Sequence, residues 1–137
     1  MDLRQQLLRD EGTRLNIYRD TEGKATIGCG RNLDAKGINE DEMLLMLEND
    51  IKDAEHQLST RIPWTDLLDQ VRRDALINLC FNMGIGNLLQ FRKFLGHLQL
   101  GQFIEAAQEL IDSDYGRSET KFRAARLAKQ IVDGAYQ

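Results

Sequence analysis

Apolar positions repeat at helical spacing over most of the chain beyond residue 39. Asn39 can cap a helix, and Glu42 can return the hydrogen bond of a capping box. The apolar residues that follow keep helical spacing to about Ser59. The pattern therefore predicts one long helix over residues 40–59.

A single proline separates this helix from the next one. Pro63 predicts a break, and a second helix is expected from Thr65 or Asp66 to Met83. Three shorter apolar patterns predict helices at about residues 87–99, 102–113 and 118–133. The second half of the chain is thus expected to be all helical.

The first part of the chain follows a different pattern. Asp2 can cap a helix over residues 2–11 that Gly12 ends. Residues 14–19 alternate in part, residues 20–23 resemble a turn, and residues 24–28 are typical of a returning strand. Gly28 and Gly30 remove side chains from one strand face, so a ligand or another part of the chain can approach there. Residues 32–37 are expected to form a loop.

Together these elements predict an α+β fold in a single domain. A small antiparallel β-hairpin lobe is expected at about residues 13–38, and a connecting helix at about 40–59. A larger helical lobe at about 60–137 is expected to carry helix 2–11 packed on it. A cleft between two such lobes is a usual place for a ligand.

Composition narrows the function. The chain has 137 residues and a net charge of −4, which argues against a general nucleic-acid binder. No apolar stretch approaches the length of a membrane span, and the first residues do not resemble a signal peptide. We therefore expect synthesis in the cytoplasm without membrane insertion. Cys29 and Cys80 show no metal-ligand spacing, and Cys80 is expected to be a buried free thiol.

Two acidic residues near the N-terminus are candidate catalytic residues. Glu11 ends the first predicted helix, and Asp20 begins the predicted turn. Cleavage of an acetal uses two carboxyl groups on opposite sides of one bond. Taken alone, however, two acids at this spacing are weak evidence and are more often ordinary surface charges than catalytic residues.

Several motifs, in order along nearly the whole chain, resemble one family. This sequence is similar to the T-even phage lysozyme family, the phage endolysins of glycoside hydrolase family 24. The motifs that carry the resemblance are Asp10-Glu11-Gly12, Asp20-Thr21-Glu22-Gly23 with Thr26-Ile27-Gly28 and Gly30, the stretch from Asp69 to Asn78 with Phe81-Asn82-Met83-Gly84, Glu105-Ala106-Ala107, and Thr120 to Arg126.

The resemblance implies a role for each matching residue. Glu11 would protonate the glycosidic oxygen, Asp20 would position the attacking water or stabilise the sugar cation, and Thr26 would help to hold that water. The substrate-binding residues implied are Gly30, Asn32, Phe81, Asn82 and Arg123. Arg123 is also expected to pair with the catalytic glutamate. Where the family often has histidine, this chain has Arg31, for which Asp50 is the expected partner.

The resemblance also implies an activity: hydrolysis of the β-1,4 bond between N-acetylmuramic acid and N-acetylglucosamine in peptidoglycan, leading to host lysis. The implied partners are peptidoglycan glycan strands, and a holin for release from the cytoplasm to the cell wall. No metal or organic cofactor is implied, and a monomer is expected. A non-catalytic peptidoglycan-binding module and a lytic transglycosylase remain as alternatives.

Overall fold

The computed structural model describes all residues, Met1–Gln137, and has the expected α+β class. It contains nine α-helices, one 3-10 helix at Pro63–Leu67 and one three-stranded antiparallel sheet. The strands are β1 (Arg14–Arg19), β2 (Ala25–Gly28) and β3 (Arg31–Asn32). The helices are α1 (Leu3–Glu11), α2 (Leu33–Lys36), α3 (Glu40–Arg61), α4 (Gln70–Met83), α5 (Ile85–Leu88), α6 (Arg92–Gln99), α7 (Phe103–Asp112), α8 (Asp114–Arg117) and α9 (Lys121–Asp133).

The chain divides into two compact units, Met1–Met46 and Leu47–Gln137, and the boundary falls within α3. We call them unit 1 and unit 2. The expected packing of helix 2–11 on the helical lobe concerns the relation between these units and stays a prediction. None of the helices combines the length and the apolar character that a bilayer crossing requires.

Helix α1 of unit 1 begins and ends as its sequence predicts. Asp2 and Gln5 form a reciprocal capping box, with bonds of 2.8 and 2.9 Å to each other's backbone N–H. The N–H of Gly12 donates to the Leu8 carbonyl at 3.1 Å and ends the helix. No residue of α1 is buried.

The sheet of unit 1 has the order β1-β2-β3. The predicted hairpin joins β1 and β2, with Tyr18 opposite Thr26 and a register shift between Arg14 and Tyr18. The short strand β3 adds a third member and places Asn32 opposite Thr26. Thr26 is the only buried residue of unit 1, so the sheet covers very little apolar surface.

Unit 2 contains the hydrophobic core. Helices α4, α6, α7 and α9 supply most of its buried apolar side chains, and the largest of these is Phe94. The fully buried members are Leu58, Ala75, Leu76, Leu79, Leu88, Ala106, Leu110 and Ile131. Each buried leucine of this kind contributes about 1.5–3 kcal/mol relative to exposure, so unit 2 holds most of the apolar stabilisation.

Two polar side chains tie α9 to α4 within unit 2. Arg72 donates to the carbonyls of Ile131 and Val132 at 2.7 and 3.2 Å, which satisfies backbone oxygens at the end of α9. Gln130 is buried, and its amide donates to the Val71 carbonyl at 2.8 Å. The last helix is therefore held by hydrogen bonds as well as by apolar packing.

Three sequence predictions need correction. Residues 32–37 are not simply a loop, since β3 and α2 lie there. The second long helix begins at Gln70 rather than at Thr65 or Asp66, because residues 63–67 form a 3-10 helix in which the Thr65 hydroxyl donates to the Ile62 carbonyl. The helix predicted at 87–99 is divided into α5 and α6, which begins at Arg92, and the helix predicted at 118–133 begins at Lys121, after the four-residue helix α8.

Candidate active site

Asp20 is fixed by the backbone of the turn that joins β1 and β2. Its Oδ1 atom accepts hydrogen bonds from the N–H groups of Glu22 and Lys24, both at 2.8 Å. Its own N–H donates to the Lys24 carbonyl at 3.0 Å. Because Oδ1 accepts both hydrogen bonds, the orientation of the carboxylate is fixed. Its second oxygen has no hydrogen bond within the protein.

Thr26 is hydrogen-bonded to the backbone of the same turn. Its side chain is buried, with 4% of the residue exposed, and its hydroxyl donates to the Lys24 carbonyl at 2.9 Å. The backbone of Lys24 thus binds the Asp20 carboxylate through its N–H and the Thr26 hydroxyl through its C=O. The structure therefore brings these two predicted catalytic residues together on one hairpin.

Glu11 is exposed at the last residue of α1, and its carboxylate lies against Gly30. A Cβ atom built on Gly30 would lie 2.9 Å from Oε2 of Glu11. Gly30 has a φ of +74°, a region that favours glycine. Within unit 1, Glu11 forms no salt bridge. Its carboxyl group is therefore placed by α1 and by the backbone of Gly30.

Asn32 has a structural role at the start of α2. Its side-chain oxygen accepts a hydrogen bond from the Ala35 N–H at 3.0 Å and caps α2. Its predicted contact with substrate stays a prediction.

The other predicted site residues belong to unit 2. Arg123 donates from Nε to Oδ1 of Asn78 at 2.8 Å. Arg123, Asn78 and Phe81 line one cavity of about 480 Å³, and 44% of Phe81 is exposed. The expected pairing of Arg123 with Glu11 relates the two units and stays a prediction.

Asn82 takes part in a separate contact of unit 2. Its Oδ1 accepts a hydrogen bond from the Tyr115 hydroxyl at 2.8 Å. Burial raises the pKa of Tyr115, against the opposing charge of Arg123. Tyr115 lines a second cavity, of about 580 Å³. A neutral hydroxyl there keeps the bond to Asn82 over the ordinary pH range.

Sequence reasoning missed three residues that contact predicted site residues or their neighbours. Asn78 and Tyr115 contact Arg123 and Asn82 across 45 and 33 residues of sequence, and no local pattern reports such pairs. The salt bridge that the structure gives Arg31 is with Glu42, which the sequence marked only as a helix cap. Asp50 belongs to unit 2, and its pairing with Arg31 stays a prediction.

Comparison with known proteins identifies one matching family and several similar proteins. The family model described as phage lysozyme matches residues 9–129. "Probable T4-type lysozyme 1" of Dictyostelium discoideum is 29% identical, over 96% of this chain and 94% of its own length. "Pre-baseplate central spike protein Gp5" of Enterobacteria phage T4 is 28% identical, over 98% of this chain and 28% of its own. "Endolysin" of Salmonella phage P22 is 36% identical over 57% of this chain and 58% of its own.

The family match and the relatives named lysozyme and endolysin, together with the helical α+β fold, define a glycoside hydrolase of the lysozyme type. The chain belongs to the phage lysozyme family, and the resemblance found in the sequence is confirmed. Its general activity is accordingly the hydrolysis of peptidoglycan.

Proposed function

We propose that this protein cleaves the β-1,4 bond between N-acetylmuramic acid and N-acetylglucosamine, with Glu11, Asp20 and Thr26 as catalytic residues. Glu11 donates a proton to the glycosidic oxygen as the bond breaks. The Asp20 carboxylate orients water or stabilises the positive charge that develops on the sugar, and Thr26 helps to hold the water.

One observation carries this proposal: the backbone of one residue, Lys24, binds the Asp20 carboxylate through its N–H and the Thr26 hydroxyl through its C=O. Because both side chains bind the backbone of this one residue, they are fixed relative to each other before substrate arrives, and such preorganisation is what transition-state stabilisation requires. Glu11 is exposed and has no salt bridge within unit 1 that substrate would have to break. Gly30, Asn32, Phe81, Asn82 and Arg123 are proposed as substrate-binding residues.

Replacement of the proposed acid tests the mechanism. Glu11→Gln keeps the size of the side chain and removes its proton-donating group. We expect the rate of turbidity loss, measured on permeabilised Gram-negative cells, to fall by about 10²-fold or more. Because Glu11 is exposed, the melting temperature should stay within a few degrees of the wild-type value.

Glu22→Gln is the matched control, because Glu22 is also an exposed acid of unit 1 and lies in the turn that joins β1 and β2. This variant should keep wild-type activity, since only the backbone N–H of Glu22 contacts Asp20. A well-folded Glu11→Gln protein that lyses cells at the full rate would remove the assignment.

The products separate hydrolysis from the two alternatives. Digestion of purified sacculi followed by mass spectrometry should give muropeptides with reducing N-acetylmuramic acid ends. A lytic transglycosylase would give anhydro ends, and a binding module would release nothing. The presence of Asp20 beside Thr26 favours hydrolysis, because attack by water needs a group that positions it.

We also propose the biological setting that the family suggests. The protein acts as a monomer on the cell wall of its host and reaches it from the cytoplasm through a holin pore. Expression in a Gram-negative host should then cause lysis only when a pore-forming protein or chloroform opens the inner membrane. Lysis at the same rate without either treatment would contradict dependence on a holin.

A further inference from the structure

Unit 1 contains an ion pair that the mechanism above does not use. Arg31 of β3 forms a salt bridge with Glu42 near the start of α3, and both side chains are partly buried. Arg31 also donates a longer hydrogen bond, 3.4 Å, to the Gly37 carbonyl. Arg31 therefore contacts two points on the chain that leads from the sheet into α3.

Glu42 is itself held in place. One of its carboxylate oxygens accepts a hydrogen bond from the Asn39 N–H at 3.0 Å, and its own N–H donates to the Asn39 side chain at 2.9 Å. The other carboxylate oxygen faces Arg31. The same carboxylate thus caps the long helix α3 and binds β3, so it joins these two elements.

Arg31 directly follows Gly30, and the Glu11 carboxylate lies against the backbone of Gly30. β3 is only two residues long, and its pairing with β2 is limited to Thr26 with Asn32 and Ile27 with Arg31. So short an edge strand has few backbone hydrogen bonds to hold it. The Arg31–Glu42 salt bridge is the side-chain contact that anchors this strand to a long helix.

We propose that Arg31 is a positioning residue for Glu11. Through Glu42, it holds the backbone of Gly30 where it supports the Glu11 carboxylate during proton transfer. This inference rests on the proposed function. It goes beyond that function in assigning a role to an ion pair that touches neither substrate nor the reacting atoms.

A plain ion pair at the surface would behave differently. Such pairs contribute little to stability and leave activity unchanged when they are removed. A positioning pair changes the rate of the chemical step, because misplacement of a catalytic group by about 1 Å can reduce the rate 10²-fold. The two possibilities therefore differ in kcat, measured on protein that is still folded.

The test compares Arg31→Gln, Arg31→Lys and Arg14→Gln in the full chain. Arg14 is an exposed arginine of the same sheet, in β1, without a salt bridge, and serves as the matched control. We expect Arg31→Gln to lower kcat on solubilised glycan strands about tenfold or more, with KM within about twofold of the wild-type value. Arg31→Lys, which keeps the charge, should recover most of kcat, and Arg14→Gln should match the wild type.

A charge exchange gives a second route if Arg31→Gln is unfolded at the assay temperature. The double variant Arg31→Glu with Glu42→Arg should have a higher kcat than either single variant, because it restores an ion pair at the same place. Circular dichroism and the melting temperature establish that each variant is folded when kcat is measured.

Two results would overturn the inference. The first result is a folded Arg31→Gln protein whose kcat equals that of the wild type. The second result is a double variant whose kcat does not exceed that of its two single variants, together with an Arg31→Lys variant whose kcat does not exceed that of Arg31→Gln. A wild-type protein inactive on sacculi would instead overturn the proposed function, and the inference would fall with it.

Discussion

At the residue scale, the position of Glu11 depends on a neighbour without a side chain. A Cβ atom on Gly30 would lie 2.9 Å from Oε2 of Glu11 and 3.4 Å from its Cδ. Real Cβ atoms do not approach other atoms at the shorter of these distances, so one of the two groups would have to move. The positive φ of Gly30 is a second and independent reason for glycine at this position.

Gly30→Ala is therefore expected to reduce activity by displacing the Glu11 carboxylate. We expect the initial rate of reducing-end release to fall about tenfold or more. The left-handed backbone should also lower the free energy of unfolding by about 1–2 kcal/mol, measured by urea denaturation.

Gly28→Ala separates these two effects. Gly28 has a similar φ of +69°, but a Cβ atom there would meet nothing within 4 Å. Its substitution should lower stability by a similar amount and leave the rate close to the wild-type value. Equal loss of activity in both variants would show that the contact with Glu11 is unimportant.

The sequence indicated part of this arrangement. Glycines at two alternate positions predicted a close approach, and the turn that holds Asp20 was predicted from its local residues. The structure adds which group approaches: the Glu11 side chain, from the end of α1. That could not be predicted, because the angle at which a helix meets a hairpin is set by the connecting backbone and not by spacing in the sequence.

At the scale of elements, α8 depends on one glycine. A Cβ atom on Gly116 would lie 2.2 Å from the carbonyl oxygen of Ile111 and 2.4 Å from that of Leu110. Both atoms are backbone atoms near the end of α7, so they cannot move as a flexible side chain would. The close approach of α8 to α7 therefore requires the absence of a side chain.

Gly116→Ala should destabilise the protein by about 1–3 kcal/mol, because the added methyl group forces the backbone of α7 or α8 to shift. Gly96→Ala is the control, since Gly96 lies in α6 and has open space around its Cα. There alanine should raise the free energy of unfolding by up to about 1 kcal/mol. Urea denaturation measures both values, and a neutral Gly116→Ala would contradict the proposed contact.

Long elements were predicted better than short ones. The capping box of Asn39 and Glu42 is local, so the start of α3 was predicted correctly. The four-residue helices α2, α5 and α8 are too short for a periodic pattern to reveal them. The start of α4 was misplaced because Thr65 resembles a cap, whereas its hydroxyl closes the 3-10 helix and Asp69 caps α4.

At the scale of the whole molecule, each unit contains a carboxylate whose charge is stabilised by folding. In unit 1, the hydrogen bond from Arg31 and then that from the Asn39 N–H lower the pKa of Glu42 below its ordinary value of 4.5. In unit 2, burial would raise the pKa of Asp69, but hydrogen bonds from Arg72 outweigh it, so this pKa lies below 3.8. Both groups are charged in the folded protein at neutral pH.

The stability of the protein should consequently fall in acid. For each group the folded pKa is lower than the unfolded one, so its contribution is present above the unfolded pKa and is lost as pH falls through the folded pKa. Urea denaturation between pH 7 and pH 3 should show the free energy of unfolding decreasing below about pH 5. Asp69→Asn and Glu42→Gln should each reduce the loss of unfolding free energy between pH 7 and pH 3. A protein more stable at pH 3 than at pH 7 would contradict the lowered pKa values of these two groups.

The order of the elements and the α+β class were predicted from the sequence, because both follow from local periodicity. The distribution of buried surface between the two units was not predicted. Periodicity identifies the apolar face of a helix but does not show how much of that face is buried by other elements. The core lies within unit 2, and unit 1 buries a single threonine.

That uneven burial has a consequence for motion. Amide protons in β1, β2 and β3 should exchange with deuterium through small local openings, whereas those of α4, α7 and α9 should exchange only on global unfolding. Glu11 and the hairpin that carries Asp20 would then belong to the most readily opened part of the chain. A bound glycan would slow exchange there first and identify, amide by amide, which segments it orders.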